Sequence, residues 1–63
     1  MFEILKKLRE EQGWTQNELA EKASVSRATI IKLESGEETE VKIGTLRALA
    51  SALKKPVSIF FCN

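Results

Sequence analysis

The apolar positions of the chain fall into short periodic runs separated by polar punctuation. In residues 2–12, FEILKKLREEQ, Phe2, Leu5 and Leu8 recur at helical spacing, Ile4 and Leu8 repeat it one face over, and the rest is charged. This predicts an amphipathic helix. Gly13 stands just past its end, where a left-handed conformation costs glycine little. The next helix, from about Gln16 to Ala23, has a doubly marked start. Thr15 is an N-cap residue, Glu18 three residues on completes a capping box, and Trp14 and Leu19 stand at hydrophobic-staple spacing. The same grammar recurs at Ser26, with Val25 before it and Ile30 four past it, and predicts a helix from Arg27 to about Ser35, stopped by Gly36. Between Ala23 and Ser26 there is room only for a tight turn.

Residues Glu37 to Lys42 are polar and acidic and read as a loop. Ile43, Leu46, Leu49, Ala50 and Leu53 then return to helical spacing, with Gly44 weakening the start and Pro56 closing the run. In the last segment, VSIFF, Val57, Ile59 and Phe61 alternate onto one face, which is a strand pattern. A strand needs a partner edge, and nothing else in the chain has this pattern. The simplest partner is the same segment of a second chain.

Two helices abutting across so short a turn predict a helix-turn-helix, whose second helix enters the DNA major groove while the first crosses the backbone above it. The motif needs a small residue inside its first helix where the second packs closely, and Ala20 supplies it. Val25, Ile30 and Leu33 would pin the second helix from behind. Arg27, Ala28, Thr29 and Lys32 fall on the opposite side, where bases would be read. The expected fold is all-α: about four helices in one domain over residues 1–63, with the motif at 15–35 and a short C-terminal strand at 57–61.

Composition narrows the alternatives. A chain of 63 residues is too short for a second domain and buries only about 60% of its unfolded surface, so a partner is a natural source of stability. With one cysteine, Cys62, and no histidine, neither an intrachain disulfide nor a metal cluster is expected, which fits a reducing cytoplasm. The lone thiol reads as inert. The formal net charge of +1 selects no partner by itself, so the distribution of charge must carry that argument. No apolar run approaches a membrane span, and no signal-peptide pattern is present. No nucleophile–base pair stands out, so catalysis and a cofactor are not expected.

The run from Leu8 to Gly36, LREEQGWTQNELAEKASVSRATIIKLESG, resembles the Cro/CI-like, or XRE-type, helix-turn-helix regulators. Fainter similarity continues through TLRALASAL, residues 45–53, so the likeness covers nearly the whole chain. The set of G-x-T-Q-x-E-L-A, V-S-x-x-T-I and L-E-x-G is specific, though each fragment alone is weak. The GWTQ core and the terminal PVSIFFC segment look most like the HipB-type antitoxin repressors, whose C-terminal strands pair across a dimer.

The resemblance implies roles position by position. Gln16 matches a glutamine that contacts the DNA backbone, and Ser26 combines a cap with a phosphate contact. Arg27, Ala28, Thr29 and Lys32 match base-reading positions. A guanine could take Arg27, and a thymine methyl could meet Ala28 or Thr29. Lys42 matches a possible phosphate contact. Arg9 and Glu34 match a structural ion pair between the first and third helices. Leu53, Val57, Ile59, Phe60 and Phe61 would form the dimer interface.

Three departures stand out. Ser24 occupies a turn position usually held by glycine, so either a left-handed serine costs about 1 kcal/mol or the turn differs. Glu37, Glu38 and Glu40 stand where relatives carry cations, which predicts modest non-specific affinity. The usual fifth helix is missing. The leading expectation is therefore a homodimeric repressor of a palindromic operator in double-stranded DNA, with a toxin kinase as a further partner if the antitoxin likeness holds. The alternative is a protein-interaction module that binds DNA only weakly.

Overall fold

A computed structural model of the chain describes residues 2–37 and 41–61. Glu38 and Glu40 of the acidic loop, and Cys62, lie outside the described residues. Four helices follow one another: α1 (Glu3–Glu11), α2 (Gln16–Ala23), α3 (Arg27–Ser35) and α4 (Ile43–Ala52), and a 3-10 turn, Val57–Phe60, closes the chain.

The helix starts of the motif are set by local bonds. Thr15 Oγ1 accepts from the Glu18 N–H at 3.0 Å and Glu18 Oε1 accepts from the Thr15 N–H at 2.8 Å, so the capping box is complete. Ser26 Oγ accepts from the Thr29 N–H at 3.1 Å and fixes the first turn of α3. By contrast, α1 and α4 begin without a side-chain cap.

Three helices end in the same way. The N–H of Trp14 reaches back to the Arg9 carbonyl, that of Val25 to Ala20 and that of Lys55 to Ala50, at 3.2, 3.0 and 2.9 Å. Each bond crosses a left-handed residue: Gly13 (φ 76°), Ser24 (φ 57°) and Lys54 (φ 57°). Ser24 therefore does adopt the left-handed turn, without the glycine that relaxes it.

One apolar core joins the elements. Leu5 and Leu8 of α1, Leu19, Ala20 and Ala23 of α2, Ile30 and Leu33 of α3, Leu46, Leu49 and Ala50 of α4, and Leu53 just past its end are all buried. Helix α2 packs against both α3 and α4, and α1 packs against α3. Ala20, the small residue within α2, is buried at 4% exposure. Trp14, half-buried beside the core, carries Lys22 Nζ 4.9 Å from its ring centroid.

The terminal segment differs from the sequence expectation. Residues 57–60 coil into a 3-10 turn, not a strand, and no strand occurs among the described residues. In a 3-10 turn residues i and i+3 eclipse, so Val57 and Phe60 share the inward side. Phe60 is only 5% exposed and stacks on Phe2, with ring centroids 6.0 Å apart at 59°. Phe61, which strict alternation would place beside Ile59, is 61% exposed. The turn also satisfies its own backbone: Ile59 N–H donates to the Pro56 carbonyl at 3.0 Å and Phe61 N–H to Ser58 at 2.9 Å. An isolated strand in a helical fold has no edge to do this. Two side chains assigned to a dimer interface, Leu53 and Phe60, are instead buried in this core at 2% and 5% exposure.

Candidate nucleic-acid interface

The outer face of α3 follows from its inner one. Ile30 and Leu33 are buried, Thr29 and Glu34 are half-buried on the flanks, and Arg27, Ala28, Ile31, Lys32 and Ser35 are exposed along one stripe. Arg27, Ala28 and Lys32 lie on that stripe, as the sequence pattern has them. Thr29 lies beside it, and its hydroxyl is 2.7 Å from that of Ser26, so the two hydroxyls bond each other. The Ser35 hydroxyl is likewise occupied, donating to the Lys32 carbonyl at 3.1 Å. The polar groups free to point outward from the stripe are therefore the Arg27 guanidinium and the Lys32 ammonium, both donors only.

Two open hollows border the stripe. One, of about 370 Å³, lies between the starts of α2 and α3 and is lined by Thr15, Gln16, Asn17 and Arg27. The N–H groups of Gln16 and Asn17 at the start of α2 have no partner within the helix, while that of Glu18 is taken by Thr15. Together with the Arg27 cation they make a surface suited to an anion such as a backbone phosphate. The other, of about 310 Å³, is lined by Lys6, Arg9, Gln16, Ile31, Glu34 and Ser35. It joins α1 to the outer face of α3. At α4, exposed Lys42 occupies the N-cap position with no side-chain oxygen on the helix N–H groups, which again leaves donors and a cation together.

Behind the stripe sits a hydrogen-bonded cluster. Arg9 Nε donates to Glu34 Oε2 at 2.8 Å and its Nη2 to Glu34 Oε1 at 3.0 Å, a two-pronged pair whose side chains are 10% and 4% exposed. Arg9 Nη1 donates to the Trp14 carbonyl at 2.7 Å, which ties the end of α1 into the cluster. Gln16 Nε2 adds a bond to Glu34 Oε1 at 3.1 Å. Hydrogen bonding to Glu34 raises the Arg9 pKa above its ordinary value, burial opposes this, and the charges of Glu34 and Glu10 reinforce it. A raised folded-state value means the Arg9 contribution is whole below the ordinary arginine pKa and is lost as pH rises from there through the folded one. The guanidinium therefore stays charged across the neutral range.

The structure brings Gln16 into contact with the Arg9–Glu34 pair, so one amide hydrogen of Gln16 is held inward. Its position, and with it the start of α2, is fixed to α1 and α3 at one carboxylate. Val57 and Ile59 are half-buried against the core. Phe61 is the large apolar residue of the terminal segment that stands open.

Five residues lining these hollows are absent from the sequence-derived site set: Lys6, Asn17 and Ile31, and Thr15 and Ser35, which the sequence marks only as a cap and a helix end. The signal for Lys6 was present, since it lies one helical turn before Arg9 and shares its face. Asn17 follows Gln16 in the first turn of α2, but its rotation toward Arg27 depends on how the two helices cross. Ile31 looks like a continuation of the core at Ile30, but it stands four residues after Arg27, so the helix period that faces Arg27 outward also turns Ile31 there.

Comparison with known proteins agrees with this geometry. A family described as Helix-turn-helix matches residues 5–60. The chain is 44% identical over 54 residues to the HTH-type transcriptional repressor RghR of Bacillus subtilis (strain 168), covering 86% of this chain and 40% of that protein. It is 38% identical over 56 residues to the HTH-type transcriptional regulator SutR of Escherichia coli (strain K12), covering 89% of this chain and 31% of that one. The chain thus spans less than half the length of these curated relatives. Among solved structures, one chain of the SinR protein/SinI protein complex superposes with a TM-score of 0.89 at 29% identity, covering 94% of this chain and 57% of that one.

Proposed function

The chain belongs to the Cro/CI-like (XRE-type) helix-turn-helix family, and from that premise we propose that it is a sequence-specific DNA-binding repressor of transcription that reads a palindromic operator as a homodimer. The observation that carries the reading is the outer stripe of α3, with Arg27 and Lys32 as its free donors and two hollows bordering it that meet at Gln16. In this reading α3 lies in the major groove, and the two hollows meet the phosphates that flank it. Arg27 takes a guanine through O6 and N7, and Ala28 admits close approach to a thymine methyl. Asn17, the second N–H of Gln16, Lys6 and Lys42 hold the backbone. Ser26 and Thr29, bonded to each other, set where α3 starts and so which side chains face the bases.

With Leu53 and Phe60 committed to the core, the side chains left for a subunit contact are Val57, Ile59 and Phe61 of the terminal segment. A toxin kinase partner rests on the GWTQ core alone, because the terminal strand that also suggested it is a 3-10 turn. A second reading, binding of another protein, is favoured by one observation: the superposed SinR chain comes from a complex with SinI.

Selection from a random duplex pool separates these readings. A repressor enriches a palindrome with half-sites about one DNA turn apart, and its affinity falls steeply with salt. A protein-binding module enriches nothing from the same pool.

A further inference from the structure

We propose that Ile31 is a base-reading residue and that the group it reads is the 5-methyl of a thymine in the half-site, an assignment that rests on the DNA-binding reading above. Three large apolar side chains are exposed among the described residues, Ile31, Ile43 and Phe61, and Ile31 is the one on the outer stripe of α3. It adds nothing to the core there, which Ile30 and Leu33 already fill. A β-branched residue is also a weaker helix former than the polar side chains that suit a solvated face. An isolated exposed isoleucine on another surface would need no account. This one shares a hollow with Ser35, the Arg9–Glu34 pair, and Lys6 and Gln16, the last two of which the reading above gives to the DNA backbone.

That location matches the chemistry of one base. In the major groove the thymine methyl is the apolar group of the base edge, and it projects toward the backbone of its own strand. A side chain at the border between base-reading and backbone-holding residues meets it there. Neighbouring polar groups do not compete for the spot. The Glu34 carboxylate is taken by Arg9 and Gln16, and the Ser35 hydroxyl by the Lys32 carbonyl. Ala28, one turn before Lys32 on the same stripe, is short enough to let the helix approach closely. The half-site is then read by two kinds of contact. Arg27 and Lys32 donate to acceptors, and Ile31 buries a methyl.

The test uses an operator obtained by selection, with each thymine of a half-site replaced in turn by deoxyuridine, which removes the methyl and leaves the pairing intact. Affinities are measured by fluorescence anisotropy for the native chain and for Ile31→Ala. One replacement per half-site weakens the native chain about fourfold, the affinity equivalent of one methyl taken from water. Ile31→Ala binds the unmodified operator more weakly by at least that factor, and that replacement costs it nothing further. Urea unfolding of Ile31→Ala coincides with that of the native chain, which separates reading from folding. If every uracil effect persists undiminished in Ile31→Ala, or none exists in the native chain, the assignment of Ile31 is overturned while DNA binding stands. A selection that enriches no sequence overturns the DNA-binding reading and the assignment together.

Discussion

The helix-turn-helix at residues 15–35 and the terminal segment at residues 53–61 are held by different forces. In the motif, each helix start is fixed by a side chain bonded to a backbone N–H three residues on, Thr15 to Glu18 and Ser26 to Thr29. In the terminal segment no side chain caps the turn, and Phe60 is placed by burial against Phe2 at the other end of the chain. Local bonds leave a local trace in sequence. Burial against a distant residue does not. The comparison explains why one region could be read and the other was misread, and substitutions can press on each side of it.

The largest effect belongs to the terminal segment. Phe60→Ala removes a buried ring and should cost about 3–5 kcal/mol, which for a chain this short is most of its stability. Urea unfolding followed by Trp14 fluorescence measures it, and a loss below 1 kcal/mol would return the segment to the surface. Glu34→Ala comes next, at about 3 kcal/mol, because it leaves Arg9 buried without its partner and releases Gln16. Within the motif the caps are worth less: Thr15→Ala should cost about 1 kcal/mol. Last, Ser24→Gly and Lys54→Gly should each stabilise by about 0.5–1 kcal/mol, since both replace a left-handed side-chain residue. A destabilising glycine at either site would show that the turn is not strained there.

Much of the fold was legible for the reason just given. Capping residues, apolar spacing and Gly36 mark the bounds of α2 and α3, and the apolar repeat Leu46, Leu49, Leu53 marks α4. The terminal segment was not legible, because Val57, Ile59 and Phe61 satisfy a strand pattern as well as a turn. The choice between them was made by Phe60, whose partner Phe2 is far away in sequence. At the candidate interface, the outward positions of Arg27, Ala28 and Lys32 follow from the helix period. The same period turns Ile31 outward, four residues after Arg27, and the bond of Thr29 to Ser26 is local to the first turn of α3. The bonding of Gln16 to Glu34 requires three helices in place at once.

The central claim is that the outer stripe of α3 reads bases. Its most direct test is selection from a random duplex pool in parallel for the native chain and for Arg27→Ala, with the enriched sequences compared position by position. The account predicts that one guanine position per half-site relaxes in Arg27→Ala, at a cost of about 1–3 kcal/mol, while the remaining positions and the half-site spacing stay as they are. Identical enriched sequences from the two chains would remove Arg27 from the reading face and contradict the orientation of α3 in the groove.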